Sequence, residues 1–258
     1  MRREADLDRD MPVKQRGFSL LELAIALMIV ALLLGGMLNP LGAALETKQR
    51  ARAELQLERI REALTGFAMI NGYLPCPATT TDPDSGRYGL EDAACDSDPV
   101  AEGYLPWRTL GVPETDPWGL PRSAASDPFN GYWRYRVDRN FSNSGALVTI
   151  KTAQAENLTI VDARGMLLTA PTETPVAIIY STGANMAQDG ENARFEGAPC
   201  GNPGGYDAGG GMSCPDGEPL YQGGDVSGAG SAAAFDDMLV WLSRPRLFNR
   251  MVTAGRLP

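Results

Sequence analysis

The chain has 258 residues, a formal net charge of −9 and no histidine. That length accommodates one apolar segment plus a head of ordinary size, and an acidic chain without a clustered basic stripe argues against electrostatic binding of nucleic acid. The missing imidazole removes Ser-His-Asp and Cys-His catalysis and histidine metal sites; with no phosphate loop and no Gly-x-Ser-x-Gly elbow, a carboxylate-only hydrolase is the enzyme class left open.

Residues 14–45 read KQRGFSLLELAIALMIVALLLGGMLNPLGAAL. Lys14 and Arg16 precede Gly17–Phe18, and one carboxylate, Glu22, follows. From Leu23 to Leu45 run 23 residues without a charge. At about 1.5 Å per residue a helix of that length spans a hydrocarbon core of roughly 30 Å. A secretory signal would have a shorter apolar region with its cleavage site after it. Here the processing-like junction Gly17–Phe18 comes first, so the run would stay on the mature chain. Lys14 and Arg16 favour a cytoplasmic leader, although Lys48, Arg50 and Arg52 beyond the run weaken the asymmetry. Without the leader the chain carries about −10. A lone carboxylate near the end of a membrane helix is costly unless paired; Glu22 is therefore a functional candidate or a residue that snorkels toward the headgroups.

Lys-Gln-Arg-Gly-Phe-Ser-Leu-Leu-Glu at 14–22 resembles the processing site of type IV prepilins and type II secretion pseudopilins. The resemblance implies that a prepilin peptidase/methyltransferase of the inner membrane cuts after Gly17 and methylates the new amine of Phe18. It also implies that Glu22 pairs with the N-terminus of a neighbouring subunit in a filament. The competing reading is an ordinary signal anchor that happens to begin Gly-Phe.

Past Leu45 the sequence turns amphipathic, with Ala53, Leu57, Ile60, Leu64 and Phe67 spaced at fours and threes. Asn71–Gly72 is a helix stop, and Pro75 forbids continuation. The spacing predicts one helix over 18–71, about 80 Å long, membrane-spanning over 18–45 and amphipathic over 46–71. Gly35, Gly36, Asn39 and Pro40 predict a local loosening or kink. Pilins, which this region resembles, often carry such breakers here.

The four cysteines pair by proximity as Cys76/Cys95 and Cys200/Cys214. In an exported head an even count reads as disulfides. Three connectivities are open; the sequential one closes two short loops and is the expectation. Neither pair has the Cys-x-x-Cys spacing of a zinc knuckle.

Residues 72–130, rich in Pro, Gly and Asp, read as a long connection. Strands are predicted at 132–138, 146–151, 158–163, 176–181 and 235–243, and a terminal helix at 246–254. The 12 glycines in 197–230 read as irregular structure, within a loop over 182–234. The expected fold is α+β: a long N-terminal helix packed on an antiparallel sheet, with a disulfide-tied, glycine-rich loop region.

Two parts of the head resemble the major pseudopilins. Asp116-Pro117-Trp118-Gly119, followed by Tyr132-Trp133-Arg134-Tyr135, is similar to their Asp-Pro-Trp-Gly segment and first strand, with 120–131 as an insertion. Tyr180-Ser181-Thr182-Gly183-Ala184-Asn185 and Asp236-Asp237-Met238-Leu239-Val240-Trp241 are similar to the segments that flank their calcium loop. Asn185 stands where that group has aspartate, which weakens the implied calcium site. Its ligands here would come from Asn185, Asp189, Asp225, Asp236 or Asp237.

The sequence thus predicts a 1–17 cytoplasmic leader, an 18–71 helix and a 72–258 periplasmic head. The resemblance implies a non-enzymatic subunit of a type II secretion pseudopilus or type IV pilus at the inner membrane. Its partners would be the peptidase, other pilins or pseudopilins and an inner-membrane assembly platform. The different-class alternative is a membrane-anchored periplasmic enzyme or ligand-binding protein that does not polymerise.

Overall fold

A computed structural model describes residues 19–80, 82–92, 95, 102–119, 131–142, 147–155, 157–162, 164–170, 173–184, 220–225 and 235–257, with backbone alone at 33–41, 43 and 102. The chain divides into two compact units, residues 1–47 and 48–258.

Helix α1 runs Leu20–Asn71. Its backbone is helical through Gly35, Gly36, Asn39 and Pro40, so the expected loosening does not interrupt it. A proline removes one helical donor, a cost of about 3 kcal/mol, and strong helix formers on both sides keep the turns around it intact. In the first unit Leu20, Leu21, Leu23, Leu27 and Met28 each leave more than half of their surface exposed. Among the described residues no helix is long and apolar enough to cross a membrane. The uncharged run Leu23–Leu45 includes ten residues, 33–41 and 43, whose side chains are not described.

In the second unit α1 buries Ala53, Leu57, Ile60, Leu64 and Ala68. The last step falls on Ala68 rather than on the predicted Phe67, which is half-buried and meets Tyr73 edge-on at 5.5 Å. The helix ends as expected: Gly72, at φ +85°, donates its N–H to Ala68 O at 2.8 Å. Glycine adopts that left-handed conformation without the Cβ clash other residues meet.

The elements that follow are β1 (Glu102–Tyr104), α2 (Trp107–Leu110), β2 (Arg134–Val137), β3 (Thr159–Val161), β4 (Pro175–Ser181), β5 (Leu220–Gln222), β6 (Met238–Ser243) and α3 (Arg244–Thr253). Four strands form an antiparallel sheet in the order β1-β2-β4-β6. Tyr135 and Val137 of β2, Ala177 and Ile179 of β4, and Leu242 of β6 join the buried α1 residues in one core, which α3 completes with Leu247 and Met251. Each large aliphatic side chain buried there contributes about 1.5–3 kcal/mol. The opposite side of β4 puts Ile178 and Tyr180 against Leu158, Ile160 and Tyr221. Buried on both faces, β4 reads as an unbroken apolar run rather than an alternating one.

Four expectations change in detail. The predicted 146–151 strand is absent over its described residues: Thr149 N–H donates to Thr152 Oγ1 at 2.8 Å and Thr152 N–H to Thr149 O at 3.0 Å. These local bonds compete with a ladder and make a turn. The 72–130 connection contains β1 and α2. The glycine-rich 197–230 region contains β5, which pairs in parallel with β3 as a second, two-stranded sheet. The terminal helix starts at Arg244, directly after β6.

Candidate functional site

Gly17 and Phe18 lie outside the described residues, but the helix start beside them is described. Ser19 N–H donates to Glu22 Oε2 at 3.1 Å, and Leu21 N–H donates to Ser19 Oγ at 3.2 Å. Leu23 N–H continues the ladder to Ser19 O at 3.0 Å. This is a reciprocal cap: serine satisfies one of the helix's first free donors, and a glutamate three residues on reaches back. Glu22 therefore holds the first peptide N–H after Phe18. Its negative charge also lies at the positive end of the helix dipole.

A second site brings together three segments far apart in sequence. Asp116 caps its own turn: Oδ1 accepts Trp118 N–H at 2.9 Å and Gly119 N–H at 2.8 Å. Its Oδ2 accepts the hydroxyl of Ser181, at the end of β4. Ser181 Oγ in turn accepts Gly183 N–H at 3.1 Å, and Ala184 N–H donates to Asp236 Oδ2 at 2.7 Å. Two glycines permit the closeness. A Cβ on Gly183, at φ +69°, would stand 2.6 Å from Asp236 O; one on Gly131, at φ +72°, would stand 2.3 Å from Gly119 Cα. Burial raises Asp116 most, the nearby Asp236 charge adds to it, and the bonds from Ser181, Trp118 and Gly119 oppose it. The carboxyl is pushed up to about 6.

Of the residues the sequence proposed for calcium, Asp236 and Asp237 are buried beside this junction and Asp225 is exposed after β5. Asn185 and Asp189 lie outside the described residues. Among the described residues no group of three acidic or cysteine side chains is arranged to hold a metal ion. Asp236 gives one oxygen to Ala184 N–H, and Asp116 gives both of its oxygens to hydrogen bonds within the chain. These donors do not by themselves make the six- to eight-oxygen shell calcium takes. Asp116 and Ser181 were not among the proposed site residues; their signal was the Asp-Pro-Trp-Gly and Tyr-Ser-Thr-Gly segments in which they sit.

Cys76 and Cys95 form a disulfide with Cα atoms 5.6 Å apart, as the sequential pairing predicts. Cys200 and Cys214 lie outside the described residues.

Residues 13–38 match the prokaryotic N-terminal methylation motif, the signature of prepilin-type cleavage sites in type IV pilins and pseudopilins. No curated protein and no solved structure matches the chain. The motif is the one carried by pilin-like and pseudopilin precursors, and it points to a structural subunit. It implies processing by prepilin peptidase and assembly with other pilins.

Proposed function

We propose that this chain is a subunit of a type II secretion pseudopilus or a type IV pilus. Residues 1–17 are a cytoplasmic leader, 18–45 cross the inner membrane, and the head stands in the periplasm. After cleavage between Gly17 and Phe18, the helix is drawn into a filament core. The observation that carries this reading is the methylation motif leading directly into α1, whose first apolar side chains are exposed in the single chain. Such a surface needs lipid before assembly and neighbouring helices after it.

Glu22 then has two uses. In the precursor it caps Ser19; after cleavage a neighbour's amine at the same depth is a stronger partner, because there both groups are ionised, whereas the peptide N–H is neutral. The pseudopilus is favoured over the pilus by the junction at Asp116, Ser181 and Asp236, which unites the three head segments that resemble major pseudopilins.

Intact-mass measurement of the membrane-extracted chain tests the reading. The mature chain should begin at a methylated Phe18, and Gly17→Leu should leave the leader in place. Glu22→Leu should stay in the membrane yet fall out of sheared filaments, since the buried neighbouring amine loses its partner. A wild-type chain that keeps residues 1–17 and never enters filaments would instead indicate the anchored, non-polymerising protein.

A further inference from the structure

We propose that the arginine-rich surface around α3 docks an acidic segment of a different protein, whose carboxylates meet Arg244, Arg246, Arg250 and Arg256. The contact goes beyond the filament reading, because it needs only the folded head.

Charge is segregated along this chain. Its last 21 residues, from Met238, carry four arginines and no acid, so the +4 here leaves −13 on the rest of a chain of net −9. The fold gathers those arginines around one helix. Leu247 and Met251 turn α3 toward the core, which leaves Pro245, Asn249 and Thr253 as its outer ridge. On one flank Arg246 and Arg250 share a single carboxylate, that of Glu62. On the other, Arg244 lies over the Phe248 ring at 4.8 Å and donates from Nη2 to Ile150 O at 3.4 Å. Past the helix end, Arg256 donates from Nη2 to Ile70 O at 2.6 Å. Among the described residues, four guanidinium groups thus have one carboxylate between them.

Each arginine uses Nη2 for its partner within the chain, which leaves Nη1 for an incoming carboxylate. The bonds already made hold the four heads in place, so less side-chain freedom is lost on association. Apolar side chains border them. Ile70 and Ile150, whose carbonyls accept two of the arginines, are 74% and 51% exposed, and Val252 is 47% exposed. Arginines set among apolar side chains make the composition of a protein interface. A polyphosphate would use the charges but leave Ile70, Ile150 and Val252 in water. An acidic protein segment with apolar side chains of its own covers both.

The test uses the full-length chain in zwitterionic lipid nanodiscs and a synthetic peptide rich in glutamate and leucine. The peptide should bind, and its lysine–leucine counterpart should not. Asn249→Glu puts a carboxylate on the outer ridge without removing any bond the arginines make, and should weaken binding by about tenfold or more. Asn249→Gln, the neutral control, should bind as the wild type does. In the native membrane, a photo-cross-linking residue at Thr253 should join Asp- and Glu-rich segments of another protein, and Asn249→Glu should abolish those products. No binding of the acidic peptide, equal affinity in the wild type and Asn249→Glu, or tighter binding of polyphosphate overturns the proposal. Cross-links only to a second copy, or only to segments without acidic residues, overturn it as well.

Discussion

The hydroxyl of Ser181 donates to the carboxylate of Asp116, 65 residues away in sequence, and the same hydroxyl oxygen accepts Gly183 N–H. This one serine fixes the turn at Asp116–Gly119 to the end of β4, the central strand of the head. The junction holds a titratable group in a buried setting, which gives the head a pH-dependent element.

Asp116 is raised from 3.8 to about 6. A carboxyl that binds its proton more tightly when folded contributes stability below its unfolded value, and loses that contribution as pH rises through its folded value. The contribution is thus full below about pH 4 and gone above about pH 6, and its upper size is roughly 3 kcal/mol. Asp116→Asn keeps an acceptor for Trp118 and Gly119 and can donate to Ser181, but it does not titrate. Between pH 4 and 7 the melting temperature of the wild type should therefore fall relative to the variant. Parallel curves for the two chains would show that Asp116 ionises normally.

Gly89 is the second position where a single atom decides. It adopts φ +66°, and an added Cβ would lie 2.3–2.8 Å from three atoms of the Trp107 ring. That ring packs on Tyr88 at 4.9 Å and on Tyr132 at 5.4 Å. Gly111 has nearly the same φ, +68°, with nothing within 4 Å of its Cβ position. Gly111→Ala should cost about 1 kcal/mol, the left-handed penalty alone. Gly89→Ala should add about 1–3 kcal/mol of overpacking and reduce the near-ultraviolet dichroism of the aromatic cluster. Equal losses in the two variants would mean that the Trp107 contact yields at little cost.

The parts legible in the sequence share one physical origin: local periodicity or local chemistry. Ala53, Leu57, Ile60 and Leu64 repeat at helical spacing, Asn71–Gly72 carries a stop, and Val176–Ser181 is a β-rich run, so α1 and β4 could be read directly. Cys76 and Cys95 were close enough for the sequential disulfide. What escaped depends on partners distant in the chain. The three residues of β5 become a strand because β3 lies beside them, and β1 because β2 does. Thr149 looked like a strand residue, but its N–H bonds the Thr152 hydroxyl just beyond the predicted strand and closes a turn. Asp116 belonged to a legible turn, but nothing local announced that Ser181 would meet it.

The last prediction concerns the join between the two ends of the head. Helix α1 has no basic residue in its last turn. Arg256, beyond α3, supplies the missing cation by donating from Nη2 to Ile70 O at 2.6 Å. About two turns further back, Arg246 and Arg250 both bond Glu62, at 2.9 and 2.7 Å. Burial raises the Glu62 carboxyl, but the two arginine bonds outweigh it and hold the group below its ordinary value. The Glu62 contribution is therefore present above its unfolded value and lost as pH falls through the lower folded one. These groups are largely exposed, so each substitution should be mild. Arg256→Ala should cost about 1 kcal/mol or less, the size of a cation at a helix C-terminus. Its effect should be local: amide hydrogen exchange should speed up over 68–72, whose bonds close the helix, while β4 amides stay protected. Exchange that rises equally in β4 would mean that Arg256 supports the whole head rather than the end of α1.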